Sequence, residues 1–419
     1  MMRRSARRAL QLAVVGALVG APLACSTVHV PASAPQRQSH DDGLGVIAQT
    51  LLDSAASKYR RASRSYDPAR GYPRSTQPDG RWMTVPVSDW TSGFFPGTLW
   101  YLHEYTLDPA LREQAERFTA PIAGVMRGST DHDLGFQFFT SFGHAYRVTR
   151  DERFHAPLLD AARLLAGRYD ARVGAIKAWD RSEWKFPVLV ETTMNLELLL
   201  WSASHGGDSA WTAIARRVGE QTLAKQIRPD GSTFQLADYD PQTGALLRLG
   251  TRQGLADSST WARGQAWGLY GFTMLHRETR DPRFLAAAQR LAGYVIARLP
   301  DDGIPCWDFQ AAGCPGRAQR DASAAAIMAS ALLELSTFVR GEEAERYRDV
   351  AERMLGSLTS SAYLAPNESD ALLLHSVGDR PHDTEVDVGI VYADYYFVEA
   401  LLRYLQLSGQ SGIRVLETR

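Results

Sequence analysis

The sequence predicts an all-α fold, an (α/α)6 barrel in which six helical hairpins close into a ring. The first observation is the stretch VLVETTMNLELLLW, in which Glu191 opens a helix that is apolar almost all round, as buried helices are. The second is that the same design, an acid followed by an apolar helix, recurs at Asp89, Asp133, Asp257, Asp321 and Asp387. The third is that every one of these helices except the last is followed by a short turn and an amphipathic helix.

Taken in order, apolar residues at helical spacing predict twelve helices. They cover residues 43–62, the residues after DWTSGFFPG as far as 106, then 110–126, 134–149, 153–169, the stretch after Glu191, 209–227, 262–279, 284–299, 322–339, 342–358 and 391–407. Asp108 is the expected N-cap of the third helix, with Pro109 at its first position. The loop before the eighth helix predicts one or two β-hairpins around residues 240–244.

The first and last helices have no hairpin partner of their own, so pairing them closes the ring. In such a barrel the six inner helices run parallel, and all their N-termini share one face. The long loops precede the inner helices, so their residues can converge on that face although they are far apart in sequence. A plain stacked array of hairpins is the alternative architecture.

The composition is that of an ordinary globular protein, with 45% hydrophobic and 22% charged residues in 419. The formal net charge of −1 gives no indication of a nucleic-acid partner. There is no Gly-rich phosphate loop, no HExxH, no nucleophile elbow and no cysteine pattern for zinc, so neither a cofactor nor a metal is expected. The segment 375–382 holds two histidines near Asp383, but their spacing matches no metal template.

The N-terminus has the pattern of an export signal. Residues 1–8 are rich in arginine, and a short apolar run with Gly and Pro ends at Cys25 in an imperfect lipobox, PLAC. We expect a signal peptide at 1–25, a flexible linker at 26–40, the catalytic domain at 41–410 and a tail at 411–419. The protein is then exported, either periplasmic or an outer-membrane lipoprotein, with a membrane tether through Cys25 and simple cleavage nearby as equal alternatives.

The other two cysteines, Cys306 and Cys314, lie in IPCWDFQAAGCPG. In an oxidising compartment a local disulfide and two free thiols are equally compatible with this spacing.

The six acids and a set of tryptophans are the candidates for chemistry. The tryptophans in or beside the same loops are Trp90, Trp179, Trp184, Trp261, Trp267 and Trp307. Helix capping is the simpler explanation for any single acid, but six at one rim predict an acidic, aromatic-lined cleft suited to sugars. Apolar neighbours would raise the pKa of Glu191, whereas its place at a helix N-terminus would lower it, so the sign of the net shift stays open.

At these motifs the chain resembles the unsaturated glucuronyl hydrolases, glycoside hydrolase family 88. The resemblance runs from about Asp89 to Arg403 and is carried by DWTSGFFPGTLW, DHDLGF, MNLELLLW, STWARGQAWGLYGF, IPCWDF, RDASAAAI and YADYYFVEALLRY. It implies an (α/α)6 barrel that needs no metal and acts on oligosaccharides left by polysaccharide lyases. It also implies hydration of the C4=C5 bond of a terminal unsaturated uronic acid, followed by release of the next sugar.

The resemblance implies roles for individual residues. Asp133 and Glu191 match the family's two catalytic acids, although Glu191 stands where the family usually has Asp. Two other departures are Gln235 and Arg252, each in place of a usual His. The expected substrate-binding residues are Trp90, His132, Trp179, Gln235, Arg252, Gln253, Arg263, Trp267 and Arg380, although a solvated loop arginine is the simpler explanation for Arg380.

Together these observations predict a hydrolase that removes the unsaturated uronic acid, with an unsaturated oligosaccharide as its partner. An inverting glycosidase acting on intact sugars and a carbohydrate-binding protein without turnover are the alternatives. The departures at Glu191, Gln235 and Arg252 are compatible with a re-tuned enzyme for a more acidic or differently linked substrate, or with a weakened one; we favour the first.

Overall fold

The structure is a computed structural model that describes residues 37–128 and 131–410. These residues contain twelve α-helices: α1 Arg37–Ser65, α2 Phe94–Thr106, α3 Pro109–Thr119, α4 His144–Thr149, α5 Glu152–Ala166, α6 Thr192–Ser204, α7 Ala210–Lys225, α8 Ala262–Thr279, α9 Pro282–Ile296, α10 Ala322–Leu335, α11 Glu342–Leu358 and α12 Val391–Leu407. A π-helix, Gly135–Gly143, leads directly into α4, and a 3-10 helix, Ala120–Arg127, follows α3.

Six helical segments form a closed inner ring. In order they are α2, the π-helix with α4, α6, α8, α10 and α12, and each packs on the next until α12 returns to α2. The other helices, α1, α3, α5, α7, α9 and α11, lie outside them, and α1 packs against both α2 and α12. The predicted (α/α)6 barrel, closed by its first and last helices, is therefore confirmed over a stacked array.

The inner helices are buried as their apolar composition predicts. Every residue of α10 is buried, and α12 is buried from Val391 to Leu405. An inner helix surrounded by neighbours on all sides has no solvent face, which is why these helices lack the amphipathic pattern of the outer ones.

Three of the turns from an inner to an outer helix are built alike. The inner helix ends at a residue in the left-handed conformation, and an aspartate then caps the outer helix with its side chain. These aspartates are Asp108, Asp151 and Asp281, so the predicted cap at Asp108 is confirmed.

The strands lie in the loops that precede the inner helices. They are β1 Tyr72–Thr76, β2 Trp82–Val85, β3 Tyr169–Asp170, β4 Ala175–Ile176, β5 Pro187–Leu189, β6 Leu236–Tyr239, β7 Leu246–Gly250, β8 Ser376–Asp379 and β9 Thr384–Val388. β6 and β7 form the hairpin predicted around residues 240–244, and β5 joins them in a three-stranded sheet. β8 and β9 pair antiparallel just before α12.

The structure corrects several predicted boundaries. α1 begins at Arg37, so residues 37–40, expected in the linker, are helical; once the buried part of a helix has formed, adding polar residues to its end is inexpensive. α3 ends at Thr119 and changes to a 3-10 helix, because Pro121 lacks the N–H that an α-helix needs there. The segment predicted as helix 134–149 is a π-helix over most of its length.

Some predictions fall outside the described residues. These are the signal peptide at 1–25 with Cys25, most of the linker, and the tail at 411–419. Within the described residues, none of the helices combines the length and the low polarity that crossing a membrane requires.

Candidate active site

A cavity of about 360 Å³ opens on the face where the inner helices begin. Its walls combine three kinds of side chain. They include the acids Asp89, Asp131, Asp133, Glu191, Asp379 and Glu385, the arginines Arg74, Arg181, Arg252 and Arg263, and the aromatics Trp90, Phe136, Trp179, Trp261, Trp267 and Tyr392. This is the predicted acidic and aromatic cleft, with a stronger cationic component than the sequence indicated.

Glu191 sits at the entrance to α6, directly after β5, and its residue is only 7% exposed. Its side chain does not cap the helix. Burial raises the pKa of Glu191 to about 7, against the opposing effects of its own backbone N–H, Gln235 and Arg263. Burial therefore outweighs the opposing effect of the helix N-terminus, and the net shift of the Glu191 pKa is upward.

Asp133 lies at the end of the loop that enters the π-helix. Its Oδ1 accepts a hydrogen bond of 3.1 Å from Nδ2 of Asn195 on α6, while Oδ1 of the same Asn195 accepts from the backbone N–H of Phe136. Burial, together with the nearby charges of Asp131 and Glu191, raises the pKa of Asp133 well above its ordinary value. Asn195 thus fixes the Asp133 carboxyl relative to the helix that Glu191 opens.

His132, predicted to bind substrate, is fully buried and does not line the cavity. Its Nδ1 pairs with Oγ1 of Thr192 at 2.9 Å, and burial lowers the pKa of His132 to about 4. The imidazole is therefore neutral at neutral pH, and it supports the loop behind Asp133.

Asp131, His132 and Asp133 bring three potential ligand atoms within 4.8 Å of one another, the one such group in the described residues. A carboxylate and imidazole set of this kind could hold a divalent cation. Here, however, one Asp133 oxygen already accepts from Asn195, and the opposite nitrogen of His132 is held by a hydroxyl rather than by a carboxylate or carbonyl that would increase its basicity. The acid and base chemistry considered for this site therefore involves the carboxyl groups alone.

Gln235 was predicted to bind substrate, but the structure places it behind the cavity wall, 3% exposed. Its Oε1 accepts from Oγ1 of Thr251 at 2.7 Å and from the backbone N–H groups of Arg252 and Gln253 at 2.8 and 3.0 Å. Its Nε2 donates to Oε1 of Gln253 at 2.9 Å and lies 3.4 Å from Oε1 of Glu191. Gln235 therefore joins the turn that carries Arg252 and Gln253 to the buried acid.

Arg263 and Arg252 both line the cavity, as predicted, and both are bound by the protein. Arg263 is 1% exposed, donates to the carbonyl oxygens of Val377 and Gly378, and lies 3.5 Å from Asp321. Arg252 forms an ion pair of 3.0 Å with Asp379. Both contacts reach residues of β8, so the two arginines join the loop before α12 to the rest of the site.

The predicted Gln253, Trp90, Trp179 and Trp267 all line the cavity. Gln253 also donates from Nε2 to the carbonyl oxygen of Gly378 at 3.1 Å. Arg380, by contrast, does not line it and pairs at 2.9 Å with Asp383 on the surface.

The six acids at the helix entrances separate into two groups. Asp89, Asp133 and Glu191 line the cavity, whereas Asp257, Asp321 and Asp387 do not. Asp321 is fully buried and caps α10, and Asp257 accepts from the backbone N–H of Thr251. Asp387 is 58% exposed at its side chain and pairs with His375. Capping or a local loop contact thus accounts for half of the set.

Sequence reasoning missed several cavity residues. Arg74 donates to Asp89 at 2.6 Å and, through both Nε and Nη2, to the carboxylate of Glu385. Trp261, already one of the candidate tryptophans, was not expected to contact Arg263, but the guanidinium carbon of Arg263 lies 4.3 Å from its ring centroid. Asp131 could have been found, because it stands two residues before Asp133 in DHDLGF. Nothing in the sequence, however, relates Arg74 to a glutamate 311 positions away.

The sequence comparison and the structure comparison relate this chain to the same kind of protein. No family model matches the chain. An unsaturated glucuronyl hydrolase of Formosa agariphila is 40% identical over 326 residues, 76% of this chain and 80% of that protein. Another, from Bacillus sp. strain GL1, is 33% identical over 341 residues, 79% of this chain and 90% of that protein. The crystal structure of an unsaturated glucuronyl hydrolase specific for heparin superposes with a TM-score of 0.84 at 40% identity, over 88% of this chain and 98% of that one.

Proposed function

This chain belongs to the unsaturated glucuronyl hydrolase family, and we propose that Glu191 and Asp133 remove the terminal 4,5-unsaturated uronic acid from lyase-generated oligosaccharides. The chain is a glycoside hydrolase with the fold of its relatives. The roles of individual residues and the place of the enzyme in the cell are the proposal.

The observation that carries the proposal is the burial of the Glu191 carboxyl in the wall of the cavity, where the residue is only 7% exposed. A general acid works best when its pKa lies near the operating pH, and burial brings the pKa of Glu191 to about 7 inside the cavity. An ordinary exposed glutamate would be ionised at neutral pH and could not protonate a carbon atom.

The reaction follows from that proton. Glu191 donates it to C4, and the π electrons of the C4=C5 bond form the new C–H bond. The ring oxygen stabilises the positive charge that develops at C5. Water then adds to C5 and returns a proton to the Glu191 carboxylate. The resulting hemiketal opens to a ketone at C5, and C1 expels the oxygen of the neighbouring sugar.

Asp133 serves as the partner of Glu191. Its carboxyl is held by Asn195, and its own raised pKa allows it to donate or accept a hydrogen bond to the sugar or to the attacking water. Arg263 is close enough to lower the pKa of Glu191, so its fixed charge also stabilises the carboxylate that remains after proton transfer. Trp90, Trp179 and Trp267 offer apolar faces to the sugar rings.

The decisive experiment follows the ultraviolet absorbance of the conjugated C4=C5 bond. Purified protein is incubated with a panel of lyase-generated unsaturated disaccharides from glycosaminoglycan, ulvan, gellan and pectin. Hydration destroys the band, an inverting glycosidase releases sugar without touching it, and a binding protein does neither. A stable band on the whole panel, with the protein folded, would overturn the proposal.

We also propose that the protein is exported and acts in the periplasm or on the outer membrane. The arginine-rich start, the apolar run and PLAC at Cys25 support this. Fractionation of cells that express the wild type and Cys25→Ala, with detection of lipid on the protein, distinguishes a tethered from a soluble form. Recovery of both proteins in the cytoplasm would contradict export.

A further inference from the structure

The arginines of the cavity differ in how far their charge is already neutralised. Arg74 is paired with Asp89 and Glu385, Arg252 with Asp379, and Arg263 with Asp321 and two carbonyl oxygens. A guanidinium that already contacts a carboxylate attracts a ligand anion at the mouth of the cavity less strongly than an unpaired guanidinium does.

Arg181 is the exception. Among residues 37–128 and 131–410 it has no carboxylate in ion-pair contact, although it lines the cavity and is exposed at its mouth. Its neighbour Asp180 is already engaged by Lys177 at 2.6 Å and by Arg168 at 3.8 Å. One unneutralised guanidinium therefore faces the opening.

The position of Arg181 is not arbitrary. Its guanidinium carbon lies 5.0 Å from the ring centroid of Trp179, which lines the same wall. Stacking on an aromatic face restricts the otherwise mobile arginine, so less conformational entropy is lost when it binds an anion. The planar fork of N–H donors then suits a sulfate or a carboxylate.

From this arrangement we infer that Arg181 is an anion-binding position for the leaving sugar, and that the preferred substrates carry a sulfate or carboxylate on that sugar. The inference rests on the proposed function for the orientation of the substrate. The unsaturated ring must reach the buried Glu191, so the sugar attached to it extends toward the mouth, where Arg181 lies.

Other charges near the mouth favour a specific contact over general attraction. Asp131 also lines the cavity, with half of its side chain exposed, and would repel an anion placed next to it. An anion is therefore favoured where the guanidinium of Arg181 can reach it, and disfavoured next to the carboxylate of Asp131.

The test measures binding apart from turnover. In a Glu191→Gln background, calorimetry gives Kd for two matched pairs of unsaturated disaccharides. One pair differs only by an O-sulfate on the leaving sugar, and the other only by a carboxylate in place of a hydroxymethyl group. We expect the charged member of at least one pair to bind about fivefold more tightly, and Arg181→Gln to abolish that difference.

Arg248→Gln is the matched control. The guanidinium carbon of Arg248 lies 3.5 Å from the ring centroid of Trp184, but Arg248 does not line the cavity. Arg248→Gln should therefore leave the ratio of Kd between the charged and uncharged disaccharides unchanged. Which pair shows the effect identifies sulfate or carboxylate as the ligand. The inference is overturned if Arg181→Gln weakens both members of each pair alike, if it weakens neither, or if Arg248→Gln has the same effect. Turnover is assayed separately in the wild-type protein, which retains Glu191. If the proposed function is wrong, the C4=C5 absorbance stays constant even though binding is charge-selective.

Discussion

Nε2 of Gln235 lies 3.4 Å from Oε1 of Glu191, so the neutral amide just before β6 faces the buried carboxyl at the start of α6. The same amide holds the backbone of Arg252 and Gln253 through its oxygen. Gln235 is therefore a positioning residue. It can influence the ionisation of Glu191 and the shape of the substrate-facing turn without touching the substrate.

Gln235→Leu should shift the alkaline limb of kcat/KM to higher pH. The hydrogen bond from Gln235 lowers the pKa of Glu191, and its loss leaves burial less opposed, by on the order of half a pH unit. KM should rise as well, because the N–H groups of Arg252 and Gln253 lose their acceptor. Full pH profiles of the wild type and the variant measure both effects.

Gln265→Leu is a suitable control for that variant. Gln265 is also buried and donates to the carbonyl oxygen of Gly231 at 2.8 Å, away from the acids. Gln265→Leu should reduce the free energy of unfolding by a similar amount, about 1 to 3 kcal/mol, and leave the alkaline limb of kcat/KM unchanged. A limb that moves equally in both variants would show that Gln235 acts only through general stability.

Glu191→Gln should stabilise the protein increasingly as the pH rises. A carboxyl whose pKa is raised on folding costs stability above the unfolded value of 4.5, and this cost is complete above about 7. Relative to the wild type, the gain in the free energy of unfolding should grow between about pH 5 and about pH 8 to as much as about 3 kcal/mol. Denaturant titrations at several pH values measure it.

Glu334→Gln provides the opposite case. Arg277 and Arg403, each 2.6 Å away, outweigh burial and lower the pKa of Glu334 to about 2. Its contribution to stability is present above the unfolded value of 4.5 and is lost as the pH falls toward 2. This variant should be destabilised at neutral pH, and a gain there would contradict the sign argument for both residues.

Turnover itself should follow the protonation of Glu191. Above about pH 7, kcat/KM should fall roughly tenfold for each further pH unit, because only the acid form can protonate C4. Glu191→Gln should lack turnover at every pH and still bind the disaccharide. Near-normal turnover in this variant would remove Glu191 from the role of acid.

Much of the fold was predictable because each element repeats one pattern. Inner helices are apolar all round, outer helices are amphipathic, and aspartates such as Asp108 cap the outer ones. The π-helix was not predictable, since apolar spacing does not distinguish it from an α-helix. It passes so close to α6 that a Cβ on Gly135 would lie 2.5 Å from Cα of Asn195, and such an approach depends on the tertiary structure.

The site was predictable where chemistry is local and not where it depends on long-range contacts. Glu191 and Asp133 stand in recognisable motifs, and both line the cavity. The burial of Gln235 behind the wall and the pairing of Arg74 with Glu385 required the folded chain. The net pKa of Glu191 could not be predicted, since it is a balance of burial against three opposing contacts.

The loop that carries Trp307 should depend on its disulfide. Cys306 and Cys314 form a disulfide across 8 positions, one of the two states that the sequence allowed. The loop supports the start of α8, where the N–H of Ala262 donates to the carbonyl oxygen of Trp307 at 3.0 Å. Replacing both cysteines with alanine should reduce the free energy of unfolding by about 2 kcal/mol. An unchanged midpoint in denaturant would contradict this.

Glu191→Asp tests whether the wall has been shaped around the longer side chain. Oε1 of Glu191 is already at the limit of contact with Gln235, 3.4 Å away, so shortening the chain by one methylene withdraws the carboxyl from both the amide and the substrate. A displacement of roughly 1 Å can reduce the rate about a hundredfold, and we expect a loss of that order in kcat with binding retained. Rates on the best disaccharide, measured below the pKa of each variant, separate position from ionisation. An aspartate variant as fast as the wild type would mean that the extra methylene contributes nothing, and that the resemblance to the usual aspartate matters more than the fit to Gln235.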